Sequence, residues 1–219
     1  MYYVGAFLVE IFILFFLSKR IHKNLVTMVM SLTHSKKLTA YGLAIIFFPG
    51  TLIHEMSHFL TSLLLLVPVG EVTLFPKIEV DSIKLGSVVI AKTDPVRRFF
   101  IGVAPIIFGF SIIFILIYFV SVNRLIDARV GYILAVYLIF EVGNTMFMSK
   151  KDLDGALQLF IILGILALIL YLLGFSLSLS WLINLMGIND FQLFKLAFKF
   201  SLIPIAIDFL VLGILGISK

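Results

Sequence analysis

IIFFPGTLIHEMSHFLTSLLLLV, residues 45–67, sets the motif His54-Glu55-Met56-Ser57-His58 inside an almost uninterrupted apolar run. The motif reads H-E-x-x-H. On a helix, residues four apart share a face, so His54 and His58 can both offer an imidazole nitrogen to one zinc ion. Glu55 then projects beside the metal, where a carboxylate can act as general base. Two imidazoles and a carboxylate are costly in apolar surroundings, and ionisable groups there are a functional signal by default. Pro49 and Gly50 interrupt the run just upstream. Proline suits the first turn of a helix and harms its interior, which predicts a kink or a fresh helix start. The motif is then expected in the first two turns of a helix ending near Val67.

Outward from this stretch the chain remains apolar. It is 62% hydrophobic and only 13% charged, with a mean hydropathy of +1.19. A soluble domain of 219 residues has no room to bury that much apolar surface. An all-α polytopic membrane protein is expected, with about six transmembrane helices of about 20 residues each. Residues 1–219 read as a single membrane-embedded domain. The first apolar segment, residues 2–17, has no basic residue before it and no small-residue cleavage site after it, so it reads as a retained span. The net charge of +5 comes from basic residues at span ends: Lys19, Arg20 and Lys23; Lys36 and Lys37; Arg97 and Arg98; Lys150 and Lys151. That is the interfacial pattern of a protein beside anionic lipid, not of a nucleic-acid binder. These charges fall on both alternating sets of loops and assign no orientation. The absence of cysteine excludes disulfides and thiolate chemistry, so a zinc site must draw on histidine and carboxylate.

Residues 69–93, VGEVTLFPKIEVDSIKLGSVVIAKT, alternate apolar and polar side chains and are rich in β-branched residues. They read as short strands, a β-hairpin-like insertion directly after the motif helix. Because lipid does not tolerate an open sheet edge, the insertion must be interfacial or packed on protein. It reads either as a plain interfacial hairpin or as an edge for an extended peptide. Asp94-Pro95 has the form of a helix start, Asp as cap and Pro in the first turn. Further spans are expected to about residue 122, over about 130–148, over about 156–175 and over about 193–217.

A catalytic zinc site ordinarily has three protein ligands. His22 and His34 lie in the basic stretch after the first span and read as solvated loop residues. Glu10, Glu141, Asp152, Asp154 and Asp208 lie in or near spans. Asp152 and Asp154 stand out because their acidic turn opens a new apolar segment, although either also suits a helix cap. Asp208 reads either as lining a polar cavity or as pairing with Lys195 or Lys199, with the structural pairing favoured, and for Glu10 a contact with another helix is expected.

With H-E-x-x-H in a span, Leu153-Asp154-Gly155 downstream and a β-like segment between, the chain resembles the site-2 protease family of intramembrane zinc metalloproteases. The resemblance covers about residues 38–175; the flanking spans, about 2–17 and 193–217, lie outside it. It implies a core of three transmembrane helices, an Asp as third zinc ligand, and an upstream Asn that helps position substrate, here Asn144. The family spacing of eight residues from that Asn points to Asp152, whereas the local Leu-Asp-Gly points to Asp154. The greater weight goes to the spacing. The prolines that the family carries in between are missing here. The expected activity is zinc-dependent endopeptidase cleavage of membrane-spanning substrates, with Zn2+ as cofactor, Glu55 as general base, and the lipid bilayer and a membrane protein or peptide as partners. The alternative is a non-proteolytic multi-span protein, a transporter or metal-binding scaffold that keeps the motif. The lack of an internal repeat weighs against a transporter.

Overall fold

In a computed structural model, the structure describes residues 2–78, 83–122, 128–147 and 192–217, with 165, 169 and 172. It is mostly helical. α1 spans Tyr2–Thr33, α2 Lys36–Ile46, α3 Phe48–Leu64, α4 Pro95–Val122, α5 Ala128–Thr145 and α6 Gln192–Ile217. Between α3 and α4 lie β1 (Val69–Thr73), β2 (Lys77–Ile78), β3 (Ile83–Lys84) and β4 (Ser87–Ile90).

Two of the described helices contain stretches long and apolar enough to cross a membrane, Pro95–Val120 and Ala197–Gly216. A third crossing is available if α2 and α3, bent by 77° at their junction, act as one broken span. The six spans expected from composition are therefore not reached among the described residues. Part of the reason lies in α1. The expected span over residues 2–17 does not end at the basic cluster; the helix continues through Lys19, Arg20 and Lys23 to Thr33. No proline interrupts it, and Leu14, Leu17, Ile21 and Leu25 follow one another at helical spacing as a buried stripe. The helix is thus held along most of its length by packing, whatever the charges on its other faces. The span expected over residues 156–175 lies outside the described residues.

The α2–α3 junction forms where Pro49 predicted it. Pro49 lies in the first turn of α3, and fully buried Phe47 stands at the break. A broken helix frees terminal carbonyls, and the Tyr137 hydroxyl of α5 donates to Ile46 O at 2.7 Å. Gly50 then lets α3 approach α5: a Cβ there would stand 2.5 Å from Thr145 Oγ1 and 2.7 Å from Glu141 O. No side chain fits that gap. α3 begins at Phe48, so the motif runs from its second turn into its third, slightly beyond the first two turns expected.

The insertion is a β-hairpin with a break in each arm. β1 pairs antiparallel with β4, Val72 opposite Val88 and Thr73 opposite Ser87, with a bulge between Val69 and Val72. β2 pairs antiparallel with β3 nearer the tip. In the returning arm the break is Leu85-Gly86. Leu85 is only 3% exposed and belongs to an apolar cluster with Ile21 and Leu25 of α1, Leu43 of α2, Phe47 and Leu215 of α6. Leu85 thus pins this hairpin to the helical core by its own side chain.

Asp94 starts α4 as expected. Its Oδ1 accepts from the backbone N–H of Val96 and Arg97 at 3.1 and 3.0 Å, and its Oδ2 lies 3.3 Å from Arg97 Nε. The Arg97 backbone N–H holds the Asp94 carboxyl below its ordinary value, reinforced by the guanidinium.

Candidate metal centre

α3 is continuously helical through the motif, so His54 and His58 fall on one face and Glu55 about 100° around the helix. All three are buried, at 3%, 5% and 6% exposure. The two rings meet edge to face, 4.8 Å between centroids, with Nε2 of His54 and Nε2 of His58 3.2 Å apart. His58 Nδ1 lies 2.8 Å from Ile101 O on α4. A carbonyl only accepts, so Nδ1 carries the proton and donates. In the neutral ring the Nε2 lone pair is then directed at His54. Fixing a tautomer through the far ring nitrogen is how metal-binding histidines are held.

The residues fit a zinc ion. Two nitrogens bound to one tetrahedral zinc at about 2.0–2.1 Å stand about 3.3 Å apart, close to the separation observed. Without metal the pair forms a hydrogen bond, His54 Nε2–H to His58 Nε2. Among the described residues no group of three or more His, Cys, Asp or Glu comes together to hold a metal. Asp152 and Asp154, the expected third ligands, lie outside the described residues.

The structure places the other singled-out residues elsewhere. Asn144, the expected substrate-positioning residue, is fully buried on α5. Its side-chain amide donates to Phe140 O at 2.9 Å and to Asp208 Oδ1 of α6 at 2.7 Å. Its backbone carbonyl accepts from the Ser18 hydroxyl of α1 at 2.7 Å. The partner of Asp208 is thus Asn144 and not Lys195 or Lys199, because α6 turns that carboxyl inward toward α5. Glu10 contacts another helix as expected, accepting from the Ser201 hydroxyl of α6. His22 corrects the sequence reading. It belongs to α1, not a solvated loop, and its ring stacks on buried Phe47 at 4.3 Å between centroids. His34 is exposed at the α1–α2 turn with φ 51°.

Two parts of the site escaped the sequence reading. The Ile101 carbonyl is a backbone group and has no sequence signature. Gly86 had one: a glycine within an alternating strand pattern often marks a close backbone approach. Here the approach is to α3. A Cβ on Gly86 would lie 2.9 Å from Glu55 Cγ, 2.9 Å from Thr51 Cγ2 and 3.1 Å from Glu55 Oε1.

The fold and site together define a mostly helical chain with membrane-length apolar helices and a buried histidine pair on a broken helix. No family model, no curated protein and no solved structure matches the chain.

Proposed function

We propose that the chain is an intramembrane zinc endopeptidase, with His54 and His58 as metal ligands and Asp152 or Asp154 as the third. One observation carries the reading: Nε2 of His54 and Nε2 of His58 converge to 3.2 Å while Ile101 O fixes the proton of His58 on the opposite nitrogen. A ring oriented in this way offers a lone pair where its neighbour offers another. Bound zinc would polarise the scissile carbonyl and acidify a water molecule.

The chain's own residues have distinct roles. Glu55 lies off the histidine face and serves as base, taking a proton from water and passing it to the leaving amine. The buried setting strengthens its electrostatic effect on whatever enters. The polar atom that Asn144 has left for a substrate is its amide carbonyl, because both its side-chain N–H groups are engaged with Phe140 and Asp208. The substrate is a membrane-spanning helix that unwinds locally, since a helical peptide bond is shielded by its own hydrogen bonds.

The test is purified protein in lipid, assayed for zinc and for cleavage of a membrane-spanning substrate. Wild type should carry about one zinc per chain, the ratio of a mononuclear site, and should cleave. Glu55→Gln should keep the metal and lose cleavage. His54→Ala combined with His58→Ala should lose both. Full zinc in that double variant would overturn the metal assignment, and normal cleavage by Glu55→Gln would overturn the mechanism. Zinc without cleavage by wild type would leave a metal-binding scaffold.

A further inference from the structure

We propose that Gly86 is a positioning residue for Glu55: the Leu85-Gly86 break in the hairpin is the seat against which the Glu55 side chain is set, and it works only without a side chain at 86. The inference rests on the endopeptidase reading for its kinetic consequence, but not for its geometry.

Three observations combine. Gly86 lies against the base, its hypothetical Cβ 2.9 Å from Glu55 Cγ and 3.1 Å from Glu55 Oε1. Its φ lies outside the left-handed region, so the backbone there is one any residue adopts, and the glycine serves space rather than conformation. Its neighbour Leu85 is 3% exposed in the cluster formed by α1, α2, Phe47 and α6. The hairpin therefore cannot retreat from α3 without pulling a leucine out of the core. A side chain at position 86 would be accommodated by moving Glu55 or Thr51, not by moving the strand.

The size of the effect follows from the overlap. Cβ contacts below 3.4 Å are already tight, so a methyl at 86 requires Glu55 to give way by about 0.5 Å. A misplacement of about 1 Å can cost about a hundredfold in rate, so about half of that displacement corresponds to about tenfold. The loss should fall on kcat, with KM changed by less than about twofold, because the base acts on the chemical step and not on substrate binding. Thr51 supplies the internal check. Its Cγ2 is the other atom in the way, at 2.9 Å, and Thr51→Ser removes it. Space opened there lets Glu55 resettle.

The experiment has a geometric arm and a kinetic arm. The chain has no cysteine, so Thr51→Cys with Gly86→Cys creates a single possible disulfide. If the break sits on α3, a mild oxidant such as diamide should close it, because disulfides need Cβ atoms about 3.5–4.5 Å apart. Failure to cross-link in the folded protein would overturn the proposal whatever the enzyme does. In the kinetic arm, wild type and Glu55→Gln first establish that cleavage occurs and depends on the base; failure there overturns the endopeptidase reading and leaves the cross-link result standing. Given cleavage, Gly86→Ala should retain zinc and lose about tenfold in kcat, and Gly86→Ala with Thr51→Ser should recover most of it. Gly86→Ala cleaving at the wild-type rate, or a loss that Thr51→Ser does not relieve, would show that Gly86 does not position Glu55.

Discussion

Asp208→Leu tests the bond that joins α6 to α5. Asp208 and Asn144 are both fully buried and meet at 2.7 Å. Leucine removes the acceptor, leaving one Asn144 N–H facing hydrocarbon, and its greater bulk in a fully buried site adds to the loss. An unsatisfied buried donor costs about 1–3 kcal/mol. For a chain of this size each kcal/mol shifts the melting temperature by about 2–4 °C, so a loss of about 2 kcal/mol corresponds to a drop of about 4–8 °C. Thermal unfolding in a fixed detergent, followed by tryptophan fluorescence or by aggregation, reads it directly. Asp208→Asn keeps an acceptor oxygen and should melt within about 2 °C of wild type. The decisive variant is Asp208→Leu with Asn144→Leu. Replacing both partners by apolar groups leaves nothing unsatisfied, so the double variant should be more stable than the sum of the single losses predicts, by about 1–2 kcal/mol. Strictly additive losses would refute the claim that this pair stabilises as a hydrogen bond. An Asp208→Asn variant as unstable as Asp208→Leu would show that charge rather than the bond matters.

Single Asp152→Ala and Asp154→Ala variants should separate the two candidate third ligands: one loses zinc, and the other loses at most some stability. Proline at Val88 or at Val89 removes a β4 donor, and successive donors point to opposite edges. One variant should weaken the pairing with β1 and the other should lower cleavage of an extended substrate with zinc retained; unchanged cleavage by both folded variants would leave the hairpin edge without a substrate role. The depressed Asp94 carboxyl stabilises the start of α4 fully above its ordinary value of 3.8, and that contribution is lost as pH falls through the lower folded value. Asp94→Ala should therefore be less stable than wild type near neutrality, and the difference should shrink as the pH is taken below 3.8; a gap in melting temperature that stays constant to pH 2 would contradict the capping role.

Local chemistry made several features legible from the residues alone. Pro49 and Gly50 announced the break between α2 and α3, since a proline ring is tolerated in a first turn and a fresh start was the natural outcome. Asp94-Pro95 announced the start of α4, and alternation with β-branched residues announced the strands after α3. The spacing of four between His54 and His58 guaranteed a shared face on any helix. Tertiary structure decided the rest, because it concerns which surfaces meet. A buried stripe carried α1 past its basic cluster, which hydropathy alone read as an end. The partner of Asp208 lies 64 residues away on α5, and no local rule selects it over a lysine on its own helix. The orientation of His58 depends on a backbone carbonyl on α4, which any side chain at position 101 would supply. The hairpin's composition fitted either a surface or a packed position; Leu85 settled it by entering the core, and so brought Gly86 against Glu55. Residue type and spacing determine which groups are available and which face they share, whereas packing against distant elements determines what each of them touches.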